Sequence, residues 1–219
     1  MLSIPVRATA QEKLVALTFD DGPSGRFTER LLAGLEERGA KATFFLCGYR
    51  MEQFPQMAEQ IIQGGHEIGI HGYSHKSMQD MCQRDVAQEI KKTIELLPKD
   101  CAVSFLRPPG GLCGDCMLSA AEEQGLSILH WSVDPQDWAV HNAQTITKAV
   151  VNQVWDGDVV LLHDMSDSSV NAALAIIDTL QEQGFRFVTA SELAKAKKVF
   201  LISGQKYGRF QKAATKDVK

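Results

Sequence analysis

The amino-acid sequence predicts an α/β fold on parallel strands, either an incomplete (β/α) barrel or a doubly wound sheet. Three observations carry this expectation. Seven short runs of apolar and β-branched residues recur along the chain, amphipathic helical patterns separate them, and most of those patterns close on glycine. Strand then helix, repeated, implies parallel strands joined by right-handed crossovers.

The first run, LVALTF (14–19), stops at Asp20 and Asp21 and turns on Gly22-Pro23. FTERLLAGLEERG then sets Leu31, Leu32 and Leu35 on one helical face and ends on Gly39. ATFFL (42–46) follows, then the helical pattern MEQFPQMAEQIIQGG and the run EIGIH (67–71). QRDVAQEIKKTIELL leads to AVSFL (102–106), and MLSAAEEQG leads to LSILHW (126–131). AQTITKAVVNQVWDG precedes DVVLLH (158–163), and NAALAIIDTLQEQG precedes FRFVTA (185–190).

A chain of 219 residues with 44% hydrophobic content suits one domain with a substantial core. The net charge of −4, with no basic run beyond Lys195, Lys197, Lys198 and the scattered lysines of the tail, argues against nucleic acid or an anionic membrane as partner. No apolar stretch approaches the roughly 20 residues that a spanning helix needs. The start, MLSIPVRATA, ends in a motif resembling a signal-peptidase site, but its apolar part is too short for a leader core. Residues 1–13 are therefore expected as a disordered start or trimmed leader, 14–198 as the main domain, and 199–219 as a C-terminal extension with a frayed basic tail.

Polar residues cluster at the ends of the apolar runs. Asp20 and Asp21 follow the first, His71 ends the third, Arg107 follows the fourth, Asp134 and Asp137 follow the fifth, and His163 ends the sixth. In either parallel architecture the carboxyl ends of all strands share one face, where sites are built. HGYSH sets His71 and His75 four apart, and one carboxylate from the first strand would complete a set of three ligands. Two neutral imidazoles plus one carboxylate, with positions left open, is how catalytic zinc is held. If Asp21 is that ligand, coordination neutralises it and leaves Asp20 beside a Lewis acid, free to take a proton from an attacking water. RPPGG (107–111) offers a guanidinium on a rigid turn, able to pair with Asp20 and orient it. His163 lies on a strand that is otherwise apolar, where a neighbouring carboxylate would raise its pKa and set its tautomer as a general acid requires.

Together these segments resemble the polysaccharide deacetylase family, the fourth family of carbohydrate esterases. TFDDG matches at Thr18–Gly22, HxxxH at His71–His75, Arg-x-Pro-x-Gly at Arg107–Gly111, Asp-x-x-Asp-Trp at Asp134–Trp138, and Leu-x-His at Leu161–His163. The resemblance implies a distorted, incomplete (β/α)7 TIM-like barrel, with 14–198 as the catalytic domain. It implies hydrolysis of acetyl groups on a glycan with a divalent metal, usually Zn2+, with Co2+ or Ni2+ as alternatives. Carried over, Asp21, His71 and His75 would be metal ligands, Asp20 the base and His163 the acid. Asp137 would tune His163, and Arg107 would fix Asp20. The Gly110 backbone N–H would face the oxyanion, and Trp138 and Leu161 would line the acetyl pocket. The implied substrate is an N-acetylated GlcNAc-type glycan, peptidoglycan first, and the implied location is secreted or in the cell envelope with the leader absent or trimmed from this chain.

Two positions depart from the family pattern. Gly72 stands where Ser or Thr usually follows the first histidine, which puts the stiffness of that loop in question. Gly110 stands where an aromatic ring is common, so glycan preference is not transferable from members that have the ring. Five cysteines include the single pair Cys113-x-x-Cys116, too few thiolates for a four-sulfur zinc site and expected as a local disulfide or as two free thiols shaping a loop. The competing readings are an O-acetyl xylan or chitin-oligosaccharide deacetylase, a glycan-binding protein of the same fold without turnover, and a non-haem iron oxygenase. The last explains neither the spare Asp20 nor His163 opposite it.

Overall fold

The computed structural model describes residues 12–211. Strand β1 (Lys13–Gly22) is its hub, buried over residues 14–20 as a central parallel strand should be. On one side it pairs with β2 (Ala42–Leu46). On the other side its first residues pair with β7 (Phe185–Phe187), and from Ala16 onward it pairs with β6 (Val159–His163). The sheet continues from β2 through β3 (Glu67–Ile70), β4 (Phe105–Leu106) and β5 (Ser127–Leu129) to β8 (Lys206–Tyr207), every ladder parallel. A single parallel bridge from Val133 to Val160 brings the chain beyond β5 back to β6. The sheet thus curls into a distorted, incomplete barrel, and the doubly wound alternative falls.

Alternation along β1 separates two apolar layers. Val15, Leu17 and Phe19 pack in the larger cluster with Leu31, Leu35, Ile176 and Ile177, the contribution of the helices. Leu14 and Ala16 point the other way, into a second cluster with Phe45, Phe105, Leu129 and Phe210. Thr18 and Asp20 continue that second, inward face, so the period of two already aims Asp20 into the barrel.

The crossovers are α1 (Arg26–Glu37), α2 (Gly48–Gln53), α3 (Met57–Gln63), α4 (Gln83–Ile94), α5 (Asp115–Glu123), α6 (Ala143–Val151), α7 (Asp167–Glu182) and α8 (Ala190–Ala196). The single helical pattern expected over 51–65 is two helices, because Pro55 drives Phe54 out of the helical region to φ −130°, ψ 64°. The run 185–190 ends as a strand at Phe187, and Thr189 opens α8 with a capping box. Its hydroxyl accepts from the Glu192 N–H at 3.2 Å, while the Glu192 carboxylate accepts from the Thr189 N–H at 2.9 Å. The expected leader lies outside the described residues except for its last two positions. The described part of the expected extension is built into the fold, since Lys206–Tyr207 pair with β5 and Phe210 is fully buried. Among the described residues no helix is long and apolar enough to cross a membrane.

The cap of α8 gives a test of this description. Thr189→Ala should lower the unfolding free energy by about 1 kcal/mol, read from urea denaturation. An unchanged midpoint would mean that the capping box does not form.

Candidate active site

Adjacent residues of a regular strand point to opposite faces, so Asp20 and Asp21 should not share a site. The end of β1 breaks that rule. Its register against β2 runs Phe19 to Phe44 and then Gly22 to Leu46, one residue more on β1 than on its partner, which is a bulge. Asp21 sits in that bulge with φ 68°. The left-handed turn swings its carboxylate round to the mouth of the barrel, where the Asp20 side chain already lies.

Arg107, immediately after β4, is completely buried. Its guanidinium donates to Asp20 Oδ1 at 2.7 Å, Thr18 Oγ1 at 2.8 Å, the Leu129 carbonyl at 2.7 Å and the His130 carbonyl at 2.8 Å. Its Cζ lies 4.0 Å from the ring centre of Phe45 and 5.6 Å from that of Trp131. One oxygen of Asp20 is thereby committed to Arg107, and the other, Oδ2, lies 3.8 Å from His71 Nε2. The carboxylate is only 3% exposed. Pairing with a full guanidinium charge is what lets it stay there.

His71, just beyond β3, places Nδ1 2.7 Å from the Arg107 carbonyl. A carbonyl only accepts, so Nδ1 carries the hydrogen and Nε2 presents its lone pair to the mouth. That Nε2 lies 3.2 Å from Asp21 Oδ1, and His75 Nε2 lies 2.8 Å from the same oxygen. The three ligand atoms fall within 4.8 Å of one another. Asp21 Oδ1 is buried and has no hydrogen-bond partner. An orphaned carboxylate oxygen converging with imidazole lone pairs fits a divalent cation, which would satisfy all of them at once. Burial alone would raise the Asp21 carboxyl, but the His71 and His75 imidazoles beside it outweigh burial and hold it far below the carboxylate range. His75 is pushed up in turn by the Asp21 carboxylate against its Nε2.

His163 ends β6 on the opposite side of the mouth. Its Nδ1 lies 2.7 Å from Asp137 Oδ1, and its backbone N–H donates to Asp137 Oδ2 at 2.9 Å. Asp137 is buried, so its charge is little screened. Burial disfavours the imidazolium, yet the hydrogen bond and charge of Asp137, helped by Asp20 and Asp21, raise His163 to about 9. Nε2 is left for whatever occupies the cleft.

The cleft between these groups measures about 440 Å3. Asp20, Asp21, His71, His75 and His163 line it together with Gly110, Trp138 and Leu161. Arg107 and Asp137 stand directly behind their partners rather than on the wall. Leu161 is buried at the floor, and Trp138 stands 64% exposed at the rim. Gly110 takes φ 69°, a left-handed backbone that a bulky ring would strain. Two further lining residues, Trp131 and Asp134, have no role in the sequence reading. Asp134 is visible in DPQDW, but Trp131 reads only as the last residue of an apolar run. Cys113 and Cys116 are both free, with Cys113 Sγ 3.2 Å from His130 Nε2.

Comparison with known proteins places this geometry. The profile of the family described as polysaccharide deacetylase matches residues 7–129. The chain belongs to the polysaccharide deacetylase family. It is 39% identical over 194 residues to a peptidoglycan-N-acetylglucosamine deacetylase of Bacillus cereus, covering 85% of this chain and 90% of that one. It is 34% identical over 202 residues to the peptidoglycan-N-acetylmuramic acid deacetylase PdaC of Bacillus subtilis, covering 90% of this chain but 43% of that protein. Among solved structures it is similar to a family 4 acetyl xylan esterase from Clostridium thermocellum in complex with a cobalt ion, with a TM-score of 0.84, 32% identity, and coverage of 90% of this chain and 98% of that one.

If a cation sits between Asp21, His71 and His75, it competes with protons for the same lone pairs. Because the metal-free His75 is shifted upward, the affinity for a divalent cation should rise with pH through neutrality and fall as His75 protonates. Chelator competition from about pH 5.5 to about pH 8, spanning the ordinary histidine range, measures this. A flat affinity would contradict the assignment.

Proposed function

We propose that this deacetylase removes N-acetyl groups from the GlcNAc-type sugars of peptidoglycan at the cell envelope, using Zn2+ held by Asp21, His71 and His75. Co2+ and Ni2+ suit the same donor set. One observation carries the reading: a three-ligand cluster stands between an Arg107-bound carboxylate and an Asp137-bound imidazole, all facing one cleft. The similarity to peptidoglycan deacetylases over most of the chain supports the choice of substrate.

When bound, the cation supplies Lewis acidity, polarising the acetyl carbonyl and stabilising negative charge as it develops on oxygen. Asp20 is the base. Its Oδ1 is fixed by Arg107 and its Oδ2 faces the ligand cluster, so that oxygen takes the proton of the attacking water. The Gly110 backbone N–H stands by the oxyanion as a second donor. His163 is the acid. Asp137 holds its Nδ1–H, so Nε2 bears the proton delivered to the departing amine as the C–N bond breaks. Leu161 accommodates the acetyl methyl, and Trp138 offers a face to the sugar at the rim.

The roles separate experimentally. Asp20→Asn should keep its divalent ion, about one per chain by elemental analysis on the three-ligand reading, yet lose most acetate release; an active variant would remove Asp20 as base. Acetate release should fall as pH climbs through about 9, where His163 loses its proton. Asp137→Asn should move that alkaline limb to lower pH, since the charge that raises His163 is gone, and an unmoved limb would refute the assignment. Across peptidoglycan, chitin oligomers and acetylated xylan, release should be fastest from peptidoglycan; preference for xylan would identify an O-acetyl esterase.

A further inference from the structure

We propose that Glu89, on α4, is a positioning residue that holds the turn between His71 and His75 in its metal-binding shape. The inference rests on the metal reading above and concerns how this chain keeps two ligands in place where the family pattern is broken at Gly72.

The turn runs without regular structure from the end of β3, and two of its residues have left-handed backbones, Gly72 at φ 80° and His75 at φ 57°. A histidine in that conformation costs on the order of 1–2 kcal/mol and persists only where its surroundings impose it. They impose it from two sides. On one side the first amides of α2 donate to the turn's carbonyls, Gly48 N–H to Gly72 O at 3.0 Å and Tyr49 N–H to Tyr73 O at 3.0 Å. On the other side a single carboxylate oxygen, Glu89 Oε2, accepts from Tyr73 N–H at 2.8 Å, Ser74 N–H at 2.7 Å and Ser74 Oγ at 3.0 Å. Carbonyls and amides of the same two peptide units are thus clamped from opposite directions. Hydrogen bonds to a charged acceptor are the strong kind.

A side chain at position 72 would be strained by the left-handed backbone and crowded by two side-chain ends. A Cβ there would lie 2.6 Å from Met78 Cε and 3.3 Å from Glu89 Oε2 itself. The glutamate borders that space, and its hydrogen bonds go to the backbone of Tyr73 and Ser74 and to the Ser74 hydroxyl. The Glu89 carboxylate hydrogen-bonds to neither ligand ring, so it acts by fixing the backbone that aims them. Partners of this sort typically change metal affinity about 10- to 100-fold when removed.

The test is zinc affinity of the metal-free full chain, by competition with a chromophoric chelator, for the unaltered protein, Glu89→Ala, Glu89→Gln and Val86→Ala. Val86 is buried on the same helix and has no side-chain polar atom to offer the turn, so its truncation reports general loosening of α4. Glu89→Ala should weaken zinc binding by about 10- to 100-fold, Glu89→Gln by less, and Val86→Ala should lower the melting temperature with zinc affinity unchanged. Acetate release by Glu89→Ala should recover at saturating zinc. Zinc affinity in Glu89→Ala equal to that of the unaltered protein, or an equal loss in Val86→Ala, would overturn the inference. Should Glu89→Ala fail to fold, Glu89→Gln decides alone, weakened binding supporting the role and unchanged binding refuting it. Failure of the unaltered protein to bind zinc would instead refute the metal reading.

Discussion

The buried guanidinium of Arg107 is the constraint on which the rest of the site depends. Through its side chain and its own carbonyl it touches β1 at Thr18 and Asp20, the end of β5 at Leu129 and His130, and His71 beyond β3. One residue therefore sets the orientation of the proposed base, the tautomer of a proposed metal ligand and the spacing of three strand ends. Removing one partner from a buried ion pair typically costs about 3–5 kcal/mol, because the other charge is left in a medium that cannot solvate it. That penalty makes the arrangement rigid, and a rigid arrangement is what a site needs when charge must develop at a defined point.

Two like charges side by side at the end of a buried strand are tolerable because each has its own compensation. Asp20 is neutralised by Arg107 within the barrel, and Asp21 is turned by the bulge toward two imidazoles. Identical side chains thus sit in different surroundings, one bound to a guanidinium and the other beside two imidazoles. Across the cleft the same device works in reverse, with Asp137 holding a proton on His163 where burial would remove it. The mouth thus sets a guanidinium-bound carboxylate opposite a carboxylate-bound imidazole, each held by a partner standing behind it.

The supporting residues sit on helices as well as strands. Glu89 reaches from α4 and the first amides of α2 from the other side, so the turn carrying the proposed metal ligands is held between two crossovers. In an incomplete barrel the strands alone do not close the mouth. Helix-borne hydrogen bonds finish what the sheet leaves open, and the strap through β8 and Phe210 does so at the seam.

Much of this was legible in the order of residues. Periodicity located seven strands, because a strand buried on both faces must be apolar throughout. The polar residues at their ends announced a shared address, because parallel strands deliver their carboxyl ends to one side. Five short segments together declared the family and nearly every residue of the mouth. The capping box at Thr189 was readable but hidden by an apolar run that looked like strand, and Pro55 already marked a break in what read as one helix. What the order of residues could not contain was the geometry between distant segments: that a one-residue bulge brings Asp21 round beside Asp20, that the Arg107 carbonyl fixes the His71 tautomer, that Trp131 walls the cleft, and that Glu89 rather than residue 72 secures the turn. Those facts arise from distances and angles across the barrel. Local sequence dictates periodicity and turn chemistry, whereas the meeting of side chains from different strands exists only once the sheet has curled.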